Sequence, residues 1–312
     1  MTIRAAWLFP GQGAQTVGMG KALADEFPEA RRTFDEANEA LGFDLSALCW
    51  DGPQDELDRT ANAQPALLAT SIAALRAALA RGLAEDDVVC LGHSLGEFSA
   101  LVGAGGLELA DALRLVRRRG ELMQAADPSG GMLAVLGLDG GAVARAIDGT
   151  SLVIANDNAP GQVVVSGPRA AFDAATERLK RAGAKRVLPL RVSAAFHSPA
   201  MRAIGPELSR AIAATHFGPL RHPVIANVDA LPHTDGAEFP ALLERQASAP
   251  VRWTESVRRA AHDGATAFIE FGAGGVLTGL VRRIVADART ANVSDPVSLV
   301  DALGTTRTSG GR

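Results

Sequence analysis

The chain has little cysteine, almost no lysine and no excess of positive charge, and these shortages narrow what it can be. Two cysteines, Cys49 and Cys90, are too few for a disulfide framework, and they lack the C-x-x-C spacing of a zinc or redox site. They fit the interior as small apolar side chains. Thirty-one basic residues face 35 acidic ones, a net charge of −4, which argues against a nucleic-acid partner held through phosphates. Lysine occurs only at Lys21, Lys180 and Lys185. No apolar run approaches the roughly 18 residues of a membrane span. Residues 1–13 break at Pro10-Gly11 too early for a signal peptide, so a cytoplasmic chain without a membrane partner is expected. No metal-ligand cluster and no internal repeat stands out. What is there, 47% hydrophobic and 21% charged over 312 residues, is ordinary globular composition, too long for one small domain and short for three.

Strand-like and helix-like stretches alternate. Residues 3–9 are apolar and stop at Pro10-Gly11, which predicts a buried strand and then a loop. Apolar positions follow helical spacing over 17–41, 67–83, from Ser99 onward and over 107–125, while 88–92 (VVCLG) is a short interior strand. Strands separated by such helices predict an α/β fold with a parallel sheet covered on both faces. After Asp127-Pro128-Ser129-Gly130-Gly131 the pattern changes. Strand 132–138, helix 141–147, strands 152–156 and 162–166, helix 169–182 and strand 185–192 follow, the β-α-β-β-α-β order of a ferredoxin-like unit. Residues 1–128 and 196–312 are thus expected to form a large α/β subdomain, with a ferredoxin-like small subdomain, 129–195, inserted and a cleft between them. Residues 229–236 read as a polar surface loop, 272–275 as a helix-start turn and 304–312 as a frayed tail.

The strongest chemical signal is Gly92-His93-Ser94-Leu95-Gly96, a G-x-S-x-G turn between the 88–92 strand and a helical stretch starting near Glu97. Glycine on both sides lets the turn lift the serine oxygen clear of the backbone, while the following helix points its first amides, beginning with Leu95, at an oxyanion. A plain βα turn with a capping serine is the alternative. Serine needs a base. His93 is adjacent and suits a structural role. His216, His222, His233 and His262 lie among polar neighbours and read as solvated. His197, in Ala195-Phe196-His197-Ser198-Pro199, falls at the end of the strand that closes the insert, at the junction of the two subdomains, where a base or a packed structural histidine would both fit. The loop Phe9-Pro10-Gly11-Gln12-Gly13-Ala14-Gln15 lacks the Lys-Ser/Thr of a P-loop, and its amides better suit an oxyanion hole. Among Arg117, Arg118 and Arg119 one side chain must turn inward, since successive helical residues rotate by about 100°, and it would then need a carboxylate partner.

These motifs, with Gln64-Pro65-Ala66, Arg119-Gly120, Gln246 and Pro250-Val251-Arg252-Trp253, resemble the malonyl-CoA:acyl carrier protein transacylase family, including the acyltransferases of polyketide synthases. The resemblance spans nearly the whole chain, to Phe271-Gly272-Ala273-Gly274-Gly275. It implies a hydrolase-like parallel-sheet core with a ferredoxin-like insert. It implies Ser94 as nucleophile and His197 as base, with Gln246 orienting His197 through its backbone carbonyl. Gln12 and Leu95 would supply oxyanion-hole amides, Arg119 would hold the malonyl carboxylate, and Phe196, Gln246 and His93 would line the substrate site. Leu95 and Phe196 look like malonyl-selecting forms, and Ala194 departs from the histidine usual in the malonyl-type polyketide motif. The implied partners are malonyl-CoA and a phosphopantetheinylated acyl carrier protein, with no metal or other cofactor and a monomeric enzyme. Thioester hydrolysis, malonyl transfer for a malonate decarboxylase, and a non-catalytic docking scaffold are the alternatives. Arg258-Arg259 and Arg282-Arg283 are candidates for a basic carrier-docking patch near the cleft mouth.

Overall fold

In the computed structural model, residues 5–306 are described. Their strands are β1 (Ala5–Phe9), β2 (Val88–Gly92), β3 (Gly130–Leu136), β4 (Val153–Ala159), β5 (Gln162–Pro168), β6 (Arg186–Pro189), β7 (Val224–Ile225), β8 (Pro232–His233), β9 (Ala267–Phe271) and β10 (Arg289–Val293). They form two sheets, one of six strands in the order β10-β9-β1-β2-β7-β8 and one of four in the order β4-β5-β3-β6. The six-stranded sheet is parallel from β10 to β7. Its edge differs from the sequence expectation. Part of the polar segment 229–236 forms β8, which pairs antiparallel with β7.

The continuous apolar runs have a plain cause. Every residue of β1, β2 and β9 is buried, because helices cover both faces of a central parallel strand. Alternation along β1 sends Trp7 and Phe9 into one core cluster and Ala6 and Leu8 into the other. The four-stranded sheet is antiparallel throughout and packs its own helices, Gly140–Ile147 and Phe172–Arg181, around Val135, Val143, Val163 and Leu179. It is tied to the segment that precedes helix Trp253–His262 by main-chain bonds from Val251 N to Ala155 O (2.8 Å) and from Asp157 N to Val251 O (3.0 Å).

Several helices depart from the periodicity. The 17–41 stretch is two helices, Lys21–Glu26 and Pro28–Leu41, because Pro28 forces Phe27 into extended backbone and then opens the second helix. Helices Leu45–Asp51 and Gln54–Asp58 are too short to announce themselves. The helix expected over 67–83 runs Thr60–Ala80. At 21 residues it is long and apolar enough to cross a membrane by length and composition, contrary to the expectation that no run approaches that length, yet most of it is buried inside the protein. Pro65 lies inside it and cannot donate to Ala61 O. The guanidinium of Arg117 donates to that carbonyl instead, at 3.1 Å. At the C-terminus the expected tail begins as helix, Pro296–Thr306, and the rest of it, 307–312, lies outside the described residues.

Candidate active site

The G-x-S-x-G turn is built by close approach. A Cβ on Gly92 would lie 1.9 Å from the carbonyl of Gly96, and one on Gly96 would lie 1.9 Å from Phe9 O. Only glycine fits either position. Between them Ser94 sits at φ 53°, the left-handed region that L-residues seldom occupy. Asn227, just past β7, holds the turn from both sides. Its Oδ1 accepts from Ser94 N at 2.7 Å and its Nδ2 donates to Gly92 O at 2.7 Å.

Ser94 Oγ lies 2.7 Å from His197 Nε2. The other ring nitrogen, Nδ1, faces two carbonyls, Gln246 O at 3.0 Å and Ala249 O at 3.2 Å. Two acceptors at Nδ1 require the proton there, which leaves Nε2 free to accept from the serine hydroxyl. Burial, and then the positive Arg119, push the His197 ring down to about 3, so it is a neutral acceptor at ordinary pH. His197 is not at the end of a strand as expected. β6 stops at Pro189, and His197 lies in the following loop, itself at φ 54°.

Arg119 is the inward member of its trio, 1% exposed. The sequence expectation of a carboxylate partner is not met. Its donors reach Gln64 Oε1 (2.9 Å), Gln246 Oε1 (2.9 Å) and Ser94 Oγ (3.2 Å), and the guanidinium lies over the Phe98 ring. Burial lowers it to about 10 against the opposing pull of Glu97, so it keeps its charge among neutral oxygens. Arg117 reaches Asn62 and Glu121, and Arg118 pairs with Glu207.

A cavity of about 530 Å³ opens over this group between the two sheets. Gln12, Ser94, Leu95, Arg119, Phe196 and His197 line it, joined by Met132 and Asn156 of the smaller sheet. Among the described residues, the backbone amides of Gln12 and Leu95 have no internal hydrogen bond. His93 also lines the cavity, with Nε2 2.8 Å from Asn158 Oδ1 and its ring against Trp253, and burial lowers its basicity. Gln246 is placed differently from a substrate contact. It is fully buried behind Arg119 and His197 and supports both.

Of the remaining histidines, His216 and His262 are exposed as expected. His222 is not solvated but packs edge-on against Trp7, and His233 is held between Asp229 and Glu238. None of the basic pairs offered for docking lines the cavity. Arg259 pairs with Asp263 in a hollow beside Asp87, Val88 and Pro223, where β2 and β7 begin. Arg282 and Arg283 bond to Thr290 and to the β4–β5 hairpin. Glu97, Asn227 and Gln64 were given no role from sequence. The signal was a charged residue among small and apolar neighbours, as at Glu97 in helix Gly96–Gly103. Among the described residues no group of histidines, cysteines and carboxylates could hold a metal ion.

The acyl transferase domain family matches residues 6–305. The malonyl CoA-acyl carrier protein transacylase of Bacillus subtilis is 44% identical, covering 97% of each chain. Among solved structures, an acyl carrier protein S-malonyltransferase from Vibrio cholerae superimposes with a TM-score of 0.91 at 44% identity, covering 96% of this chain and 99% of that one. A malonyl-transacylase solved with a type II polyketide synthase acyl-carrier protein gives 0.92 at 41% identity, with the same coverage.

Proposed function

Since the chain belongs to the acyl transferase domain family, we propose that it moves a malonyl group from malonyl-CoA to the phosphopantetheine thiol of an acyl carrier protein, for fatty acid or polyketide synthesis, through a malonyl-serine ester on Ser94. The observation that carries this reading is the 2.7 Å contact between Ser94 Oγ and a His197 whose other nitrogen is capped by carbonyls. Such a histidine takes the hydroxyl proton as the oxygen attacks.

In the first half-reaction Ser94 Oγ bonds to the thioester carbon and its proton passes to His197 Nε2. The carbonyl oxygen becomes an oxyanion facing the amides of Gln12 and Leu95. Collapse breaks the carbon–sulfur bond, and the CoA sulfur leaves with the proton from His197. The second half-reaction runs this backwards with the carrier thiol. Arg119 takes the free carboxylate of the malonyl group. Its present acceptors are two amide oxygens and the serine hydroxyl, weaker partners than a carboxylate. Phe196 and His93 complete the wall, and Gln246 holds His197 and Arg119 in place.

The same proposal treats 129–195 as a small subdomain inserted into a large one of 1–128 and 196–312. Its support is that β3 to β6 all fall inside that span and the six-stranded sheet wholly outside it. It takes the enzyme as a cytoplasmic monomer with no nucleic-acid or membrane partner. The test is intact-mass and peptide analysis after incubation with malonyl-CoA and no carrier. One malonyl adduct on Ser94 is expected, and an adduct elsewhere, or none, rejects the reading.

A further inference from the structure

We infer that Glu97 is a positioning residue, which fixes the side-chain amide of Gln246, and through it the aim of Arg119, by accepting a hydrogen bond and not by serving as a counter-charge. This rests on the reading of Arg119 as the carboxylate-binding group.

The Gln246 amide nitrogen donates to two acceptors, Ser94 O at 2.9 Å and Glu97 Oε2 at 3.0 Å. With both its hydrogens so placed, Oε1 must face Arg119, and it accepts from the guanidinium at 2.9 Å. Flipping the amide would set oxygen against a carboxyl and a carbonyl and N–H against a guanidinium. Glu97 thus decides which end of Gln246 meets the arginine. Its own place is fixed by the first turn of helix Gly96–Gly103 and by Asn227 N, which donates to the same Oε2 at 2.9 Å. The chain of contacts links the serine turn, the histidine support and the arginine through one buried carboxyl.

The manner of action follows from what Glu97 does not touch. No ion pair joins it to Arg119 among the described residues, and its Oε1 has no hydrogen-bond partner. One oxygen makes all the contacts. Burial raises the carboxyl to about 7, with Asp229 adding to the rise and Gln246, Asn227 and Arg119 opposing it. A carboxyl that is partly protonated at neutral pH still offers its carbonyl oxygen to Gln246. Arg119 is left solvated by the neutral oxygens of Gln64 and Gln246, with its charge available to an incoming carboxylate.

The experiment compares kcat/KM for acylation of Ser94 by malonyl-CoA and by acetyl-CoA in wild type, Glu97→Met and Glu97→Gln, with thermal melts alongside. Methionine keeps the length and removes the acceptor, so the malonyl rate should fall about tenfold more than the acetyl rate, the worth of one internal hydrogen bond. Glutamine offers an oxygen to the same two N–H groups, so Glu97→Gln should hold the malonyl-to-acetyl ratio within about threefold of wild type. An unchanged ratio in Glu97→Met, with equal losses for both donors, would show a merely structural residue. A Glu97→Gln ratio that collapses would show action through charge. Either result overturns the inference, and the glutamine variant decides alone if the methionine variant does not fold. A wild-type enzyme without malonyl preference would overturn the reading of Arg119 itself, and that is seen before any variant is made.

Discussion

Arg119 and His197 show how one burial acts on two side chains in opposite service. For the arginine, removal from water makes an unpaired charge costly, so a donor lacking the carboxylate should acylate poorly. Truncating one partner of a buried charge pair costs about 2–5 kcal/mol, so Arg119→Ala should lose about 30- to 5,000-fold in malonyl transfer. It should also lose much of its discrimination against acetyl-CoA. Steady-state kinetics with both donors check this, and a variant that kept the preference would place carboxylate recognition on another group. For the histidine, burial holds the ring neutral. His197 is driven from 6.5 to about 3. The unfolded chain therefore binds a proton there below pH 6.5 while the folded one does not until about pH 3. The stability this residue contributes is full above 6.5 and is lost as the pH falls towards 3. Ring NMR shifts should show no titration of His197 near 6.5, and a midpoint there would contradict the account.

At the scale of the element, the site depends on where backbones touch. The turn around Ser94 passes within a methyl group's width of β1, so Gly96→Ala forces a Cβ to 1.9 Å from Phe9 O. That should cost more than about 3 kcal/mol, at or beyond the upper end of ordinary overpacking, measured by thermal or urea unfolding. The G-x-S-x-G spacing made this turn legible in the sequence, because its glycines are a steric requirement. The proline in helix Thr60–Ala80 was not legible in the same way. A tertiary donor, Arg117 on helix Leu109–Gln124, replaces the missing bond, and no local pattern announces a partner so distant in sequence. Arg117→Ala should thus cost about 1–2 kcal/mol of stability by leaving that carbonyl unpaired. Arg118→Ala, losing only exposed ion pairs, should stay within about 0.5 kcal/mol. Both should keep turnover within about a few-fold of wild type, since neither side chain reaches the cavity. Equal unfolding midpoints for the two variants would refute the assignment of Arg117.

At the scale of the whole molecule, periodicity carried the α/β core and the four-stranded sheet, because buried parallel strands and split βαβ units leave long regular patterns. It did not carry the support behind the cavity. Glu97, Asn227 and Gln246 meet only when helix Gly96–Gly103, the end of β7 and helix Phe239–Gln246 converge; Glu97 and Asn227 alone are unremarked polar residues, and Gln246 was legible only through the family resemblance. Long-range placement also bears on the docking patch, since Arg259 lies where β2 and β7 begin, Arg282 beside the start of edge strand β10, and Ser94 where β2 ends. Neutralising Arg259 and Arg282 should leave the KM for a carrier protein within about twofold of wild type. A large rise would return docking to that face. The central claim, that the acyl group passes from serine to a carrier thiol and not to water, is met most directly by a single-turnover chase. Enzyme malonylated on Ser94 and freed of CoA is mixed with a phosphopantetheinylated carrier protein, and both products are counted by mass. The account predicts malonyl on the carrier thiol and unmodified Ser94. Free malonate with an unmodified carrier would contradict it.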